Sequence, residues 1–122
     1  PRGMIEGRLS QARRRYGKIR GREDVRCLHR FRISMKKLRY TAEILLPFHA
    51  GVRDTDMKGI KSVQSVLGRL HDDHVSAGLF RRMGKEMGRS EAEAVEKACH
   101  ALRADYSRQY RRLERIRMPW MG

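Results

Sequence analysis

Residues 28–40 read Leu28-His29-Arg30-Phe31-Arg32-Ile33-Ser34-Met35-Lys36-Lys37-Leu38-Arg39-Tyr40, and two helical periodicities run through them at once. Leu28, Phe31, Met35 and Leu38 recur at spacings of three and four. With Ala42 and Leu45 they fall within about 100° of arc on a helical wheel, the width of an ordinary core stripe. His29, Arg32, Lys36 and Arg39 stand at i, i+3, i+7 and i+10, a second stripe on the same helix. Arg26, Arg30 and Lys37 flank it, and Tyr40 adds a hydroxyl able to donate to an oxyanion. At 1.5 Å per residue the basic row spans about 15 Å, enough to meet several successive phosphates. Glu43 is the one acid on this face, where a merely solvated helix would mix signs to gain i,i+4 pairs.

The helix bearing this stretch opens at Asp24, a residue suited to capping, and stops at Pro47. Upstream, Ile5, Leu9, Ala12, Tyr16 and Ile19 predict an amphipathic helix ending near Gly21. Downstream, a third helix starting at Asp54 or Asp56 would bury Ile60, Val63, Leu67 and Leu70. Gly68 and the Leu70-His71-Asp72 step predict a bend there. A further segment then carries Val75, Leu79, Met83 and Met87 as its core and ends at Gly88. Ser90-Glu91-Ala92-Glu93 predicts a capping box. The last helix would bury Val95, Cys99, Leu102, Tyr106, Tyr110 and Leu113 and end before Pro119. No stretch alternates as a strand does, and no repeat is evident. The expected fold is all-α: an antiparallel helical bundle of four to five helices, one domain over residues 1–122.

Charge narrows the function. The chain carries 29 Lys+Arg against 14 Asp+Glu, a net +15, with 39% hydrophobic residues. That apolar content supports a packed core rather than a basic tail. Fourteen of the cations but three of the acids lie in residues 1–40, and most of those cations are arginines. The planar arginine fork suits phosphate oxygens. A positive excess of this size opposes compaction unless a polyanion offsets it. Cys27 and Cys99 lack the spacing of a disulfide scaffold or a zinc site, which points to a reducing cytoplasmic setting. The longest apolar run, residues 44–48, is broken by Pro47, so no membrane partner is expected.

Lys61, Gln64, Gly68 and His71 repeat the i, i+3, i+7, i+10 pattern beside the third helix's apolar stripe. A lysine, an amide and an imidazole around a glycine leave room for a ligand to approach the backbone closely. His71-Asp72-Asp73-His74 offers metal-ligand types, with His29, His49 and His100 elsewhere, and a metal-dependent phosphohydrolase is the less favoured rival. The cluster is better read as surface histidines around a helix N-cap at Asp72, since an active metal site needs ligands converging from several elements. No catalytic constellation, cofactor or metal is expected. An RNA- or DNA-binding protein is the main alternative, but the basic helix interleaves no row of stacking aromatics and no nucleic-acid module stands out.

The 28–40 stretch resembles the signature helix of CHAD domains, a histidine-containing α-helical family, whose pattern runs roughly H-x-x-R-x-x-x-K-[RK]-x-R-[Y]. Residues 60–75, Ile60-Lys61-Ser62-Val63-Gln64-Ser65-Val66-Leu67-Gly68-Arg69-Leu70-His71-Asp72-Asp73-His74-Val75, resemble that family's second motif, L-K-x-L-Q-x-x-L-G-x-L-[NH]-D-x-x-V. The likeness covers about residues 8 to 115. It implies a helical bundle that binds inorganic polyphosphate in the cytoplasm or at polyphosphate granules, without catalysis. It further implies a neighbouring triphosphate-tunnel (CYTH) enzyme as a partner. Carried over by position, His29, Arg32, Lys36, Lys37, Arg39 and Lys61 would bind the anion. The family's full domain has two helical halves facing one groove. This chain holds one, closest to the second: either it is a piece of a two-half domain, or self-association into a dimer supplies the missing wall, which is the expectation.

Overall fold

A computed structural model describes residues 2–19, 24–45, 48, 54–116 and 118. Among these residues the chain forms four helices: α1 (Arg2–Ile19), α2 (Val25–Leu45), α3 (Asp54–Gly84) and α4 (Arg89–Arg115). The stop signals at Gly21, Pro47 and Pro119 lie outside the described residues, as does His49.

Two of the helix starts, those of α2 and α4, have a local cause. Asp24 caps α2: its Oδ1 accepts the amides of Arg26 at 2.9 Å and Cys27 at 3.3 Å, satisfying two donors that the first turn would otherwise orphan. The Cys27 and Arg26 amides in turn hold its carboxyl below the ordinary carboxylate value. α4 begins earlier than the Ser90–Glu93 capping box proposed. Gly88 is the extended N-cap residue, and the Glu91 carboxylate reaches back to accept the Gly88 amide at 3.3 Å.

The apolar stripes meet in one core. Ala12 and Ile19 of α1, Leu28, Phe31, Met35, Leu38 and Ala42 of α2, and Met57, Ile60, Val63, Val66, Leu67 and Leu70 of α3 are buried with Tyr110 and Leu113 of α4. Tyr16 packs its ring 5.3 Å from that of Phe31. The Tyr110 hydroxyl donates to the Ile19 carbonyl at 3.0 Å, joining α4 to the last residue of α1 in a buried bond. A last-turn carbonyl has no partner within its own helix, so this bond fills an obligatory vacancy.

Two expectations about α3 fail together. Its 31 residues run unbroken through Gly68 and the 70–72 step, about 46 Å of helix. Asp72 is therefore an interior residue and caps nothing. A glycine costs a helix about 1 kcal/mol against alanine, and burial of Leu67 and Leu70 on either side outweighs that. The second failure follows. Val75, Leu79 and Met83 are 50%, 49% and 38% exposed, not core. A straight α3 turns Ala77 and Gly84 towards α4 instead. Cys99 Sγ lies 3.9 Å from the Ala77 carbonyl, and a Cβ on Gly84 would sit 3.3 Å from Val95. Within α4, Cys99, Tyr110 and Leu113 are buried, while Val95, Leu102 and Tyr106 are only partly so.

Asp105 was not foreseen as a core residue. It accepts a two-pronged bond from Arg69, Nε at 2.9 Å and Nη2 at 3.1 Å, and a third from Arg108 Nη2 at 3.3 Å. Asp73, 7% exposed, faces it from α3, and its Oδ2 has no hydrogen-bond partner. Burial pushes the Asp73 carboxyl up to about 6, with the hydrogen bond to Asp105 and the Asp105 charge adding to the rise. The same hydrogen bond, helped by Arg69, draws Asp105 down to about 2. Between about pH 2 and 6 the pair therefore holds one proton, on Asp73, beside the Asp105 carboxylate.

Between about pH 4 and 6 the folded chain keeps a proton on Asp73 that the unfolded chain has lost, so this contribution falls as pH rises through that window. Asp73→Asn keeps a donor without the ionisation. It should raise the melting temperature at pH 7.5 by a few degrees, the scale of about 1 kcal/mol, and change it little at pH 4.5. Thermal melts at the two pH values test this; an identical shift at both would refute the shared-proton account.

A candidate anion groove between the second and third helices

α2 and α3 run antiparallel, and their polar rows face each other. At one end the rings of His29 and His71 stack with centroids 5.8 Å apart and planes 29° off parallel. At the other, Arg39 Nη1 donates to Gln64 Oε1 at 3.1 Å. Arg32 and Lys36 lie between on α2, half-buried, with Gly68 between on α3. A Cβ at Gly68 would meet no atom within 4 Å. The rows thus flank an open trough whose floor, at Gly68, is helix backbone that a ligand can reach.

The charges are graded along the trough. Arg39 is engaged on two sides, since its Nε also pairs with Glu43 Oε1 at 2.9 Å. Both side chains are about a third exposed, and a pair of that kind adds little stability. Its effect is positional: it fixes the guanidinium and puts a negative charge beside it. The His29 end has no acid of this kind on α2 and gathers Arg26, Arg30 and Arg32 around a cavity of about 360 Å³. His71 is held below the ordinary imidazole value, first by partial burial, then by the Arg32 and His29 charges.

The predicted residues do not all converge. His29, Arg32, Lys36, Arg39, Gln64 and His71 form the trough, with Gly68 as its floor. Arg26 and Arg30 stand at the mouth of the cavity. Lys61, exposed, extends the α3 row one turn beyond Gln64, and Tyr40, 54% exposed, sits one turn on from Lys36. Lys37 departs from the group: one residue after Lys36, it points about 100° further round the helix, onto the outer face. His74, missed as a lining residue, borders the cavity together with Val25 and Tyr106.

The His71–His74 cluster disperses. His71 turns to α2, Asp73 is buried against α4, and Asp72 and His74 are exposed. Among the described residues no three His, Cys, Asp or Glu side chains gather to hold a metal ion. No helix among them is long and apolar enough to cross a membrane.

A model of the CHAD domain family matches residues 2–81, about two thirds of the chain. The matched span holds α1, α2 and most of α3, and therefore both walls of the trough. It ends well short of residue 115, to which the likeness read from the sequence extended; α4 lies beyond it. Neither the curated proteins nor the solved structures contain a match.

An anion bound in the trough would oppose the charges that depress His71, so binding should take up a proton there and strengthen as pH falls from 7 towards 6. Titrating the His71 ring by NMR, with and without saturating tripolyphosphate, measures this. The midpoint should move up with ligand; an unmoved midpoint would place the anion elsewhere.

Proposed function

The chain belongs to the CHAD domain family, and from that premise we propose that the trough between α2 and α3 binds inorganic polyphosphate without transforming it. Domains of this family are generally non-catalytic binders associated with polyphosphate. The observation that carries the reading for this chain is the facing of His29, Arg32 and Lys36 with Gln64 and His71 across the bare backbone of Gly68. A linear polyphosphate carries about one negative charge per phosphate. Rows of cations bind such a chain by charge-assisted hydrogen bonds and by releasing its condensed counterions, as they do on nucleic-acid backbones. A trough with hydrogen-bond donors on both walls favours a slender phosphate chain over a duplex. Gly68 lets that chain lie close to α3.

Polyphosphate should outcompete RNA and duplex DNA of equal charge at physiological salt, with log affinity falling linearly with log salt. Arg32→Ala with Lys36→Ala should lose about two to four decades of affinity, since charge-assisted bonds contribute roughly 1.5–3 kcal/mol each. Arg112→Ala with Arg115→Ala, on α4, removes equal charge and should lose at most about one decade. Equal losses from the two pairs would leave only a basic protein that adheres to polyanions. Circular dichroism of both variants guards against loss of fold.

A second copy docked beside the α2 row is part of this reading. Support comes from Ile33, Tyr40 and Ile44, exposed in one row next to Lys36 on α2. Mutual repulsion of two chains of +15 makes such a pair anion-dependent, so light scattering should show dimer with polyphosphate and monomer without it.

A further inference from the structure

The trough does not end at the stacked histidines. Beyond them, where α2 starts, the surface deepens into the cavity of about 360 Å³. Its lining is aliphatic, from Val25 and Leu28 of α2 and Leu67 and Leu70 of α3, and Tyr106 of α4 adds an aromatic side chain. His29, Arg32 and His71 border the same cavity, and each also belongs to the phosphate rows. One continuous surface therefore carries cations along its length and an apolar recess at its end.

Inorganic polyphosphate has no use for that recess. Every part of such a chain is charged and hydrated, so its terminal phosphate gains nothing from leucine and valine side chains and would lose hydration there. The ligand that would use the whole surface has a phosphate chain and one apolar end. The recess lies at the lower end of the roughly 300–1,000 Å³ found for small-molecule sites, which suits a single ring system. The aromatic groups beside it, Tyr106 and the stacked His29–His71 pair, offer faces for a flat heterocycle.

We infer that this site takes nucleoside polyphosphates, with the base in the recess and the phosphates running past Arg32 and Gly68 towards Lys36. The inference rests on the trough being the phosphate site, and adds that the site reads the end of the phosphate chain as well as its charge. Arg26 and Arg30, at the mouth of the recess, stand where they can meet ribose oxygens or the first phosphate. A free phosphate chain and a nucleotide would then share the α2 row and differ at the recess alone.

The test is calorimetric titration of the 122-residue chain with tripolyphosphate, ATP and farnesyl diphosphate at one salt concentration. ATP presents no more negative charge than tripolyphosphate, yet should bind about ten- to a hundredfold tighter, the worth of one stacked base. Saturation-transfer NMR should reach the adenine H2 and H8 protons. Tyr106→Ala should cut the ATP advantage to less than about threefold while leaving long-chain polyphosphate affinity unchanged. Val25→Trp, at the half-exposed first residue of α2, should fill the recess to the same effect, and it decides the matter should Tyr106→Ala unfold.

ATP binding no tighter than tripolyphosphate, adenine protons that receive no saturation, or farnesyl diphosphate outbinding ATP would each overturn the inference. The first of these, with Arg32 and Lys36 still required for polyphosphate, would leave the groove reading intact. ATP bound in the recess but not displaced by long polyphosphate would instead overturn the groove reading.

Discussion

Helical register beside a buried stripe is the constraint on which the rest of this molecule depends. Leu28, Phe31, Met35 and Leu38 are buried, and the next residue after each is His29, Arg32, Lys36 and Arg39. Ile60, Val63, Leu67 and Leu70 are buried, and each is followed by Lys61, Gln64, Gly68 and His71. A residue one step on from a core position lies about 100° round the helix, at the border of the buried face. Burying the eight apolar side chains therefore fixes where the other eight must lie. Antiparallel packing does the remainder. Two antiparallel helices have mirror-related borders, so both rows can look into the same crease. In a parallel pair one row would face in and the other out. Core formation and site formation are in this sense one event.

The distribution of acids completes the picture. Asp24 and Glu91 satisfy helix N-terminal amides. Asp105 gathers Arg69 and Arg108 on the α4 side of α3, and Asp73 is buried beside it. Of the carboxylates with these local duties, Glu43 alone meets the trough, and it holds Arg39 in place. Negative charge is spent on caps and on the α3–α4 contact, and the α2–α3 crease keeps its cations. In a molecule of net charge +15 the cations of that crease are thereby left with little neutralisation from these acids.

Much of this was legible in the sequence, for a physical reason. The α2 stripe, the Asp24 cap and the two polar rows are local patterns, each complete within a few helical turns, so periodicity exposes them. Long-range facts left no such trace. Asp73 and Asp105 are distant in sequence and look like ordinary surface acids until α3 and α4 pack. Gly68 suggested a bend because glycine usually weakens a helix, and only the burial around it explains why α3 continues. Val75, Leu79 and Met83 have core spacing, yet α2 begins at Val25 opposite the His71 turn. Among the described residues, the last turns of α3 consequently run past the start of α2 and pack on α4. A periodicity shows that a face is apolar, not that a neighbour exists to cover it.

The unbroken course of α3 makes it a shaft linking two differently packed regions. Its first half, to His71, lies in the four-helix core and forms one wall of the trough. Its second half aligns Ala77 with Cys99 and Gly84 with Val95 on α4. The two halves are locked in phase. Inserting one residue after His71 would leave the trough untouched and rotate everything beyond by about 100°, carrying Asp73 off Asp105 and Gly84 off Val95. Length changes in this segment are thus quantised. Only increments near whole turns, three to four residues or seven, keep both halves of α3 turned to the same face of α4, so the length between the trough and the α3–α4 tip can vary only in steps of one or two helical turns.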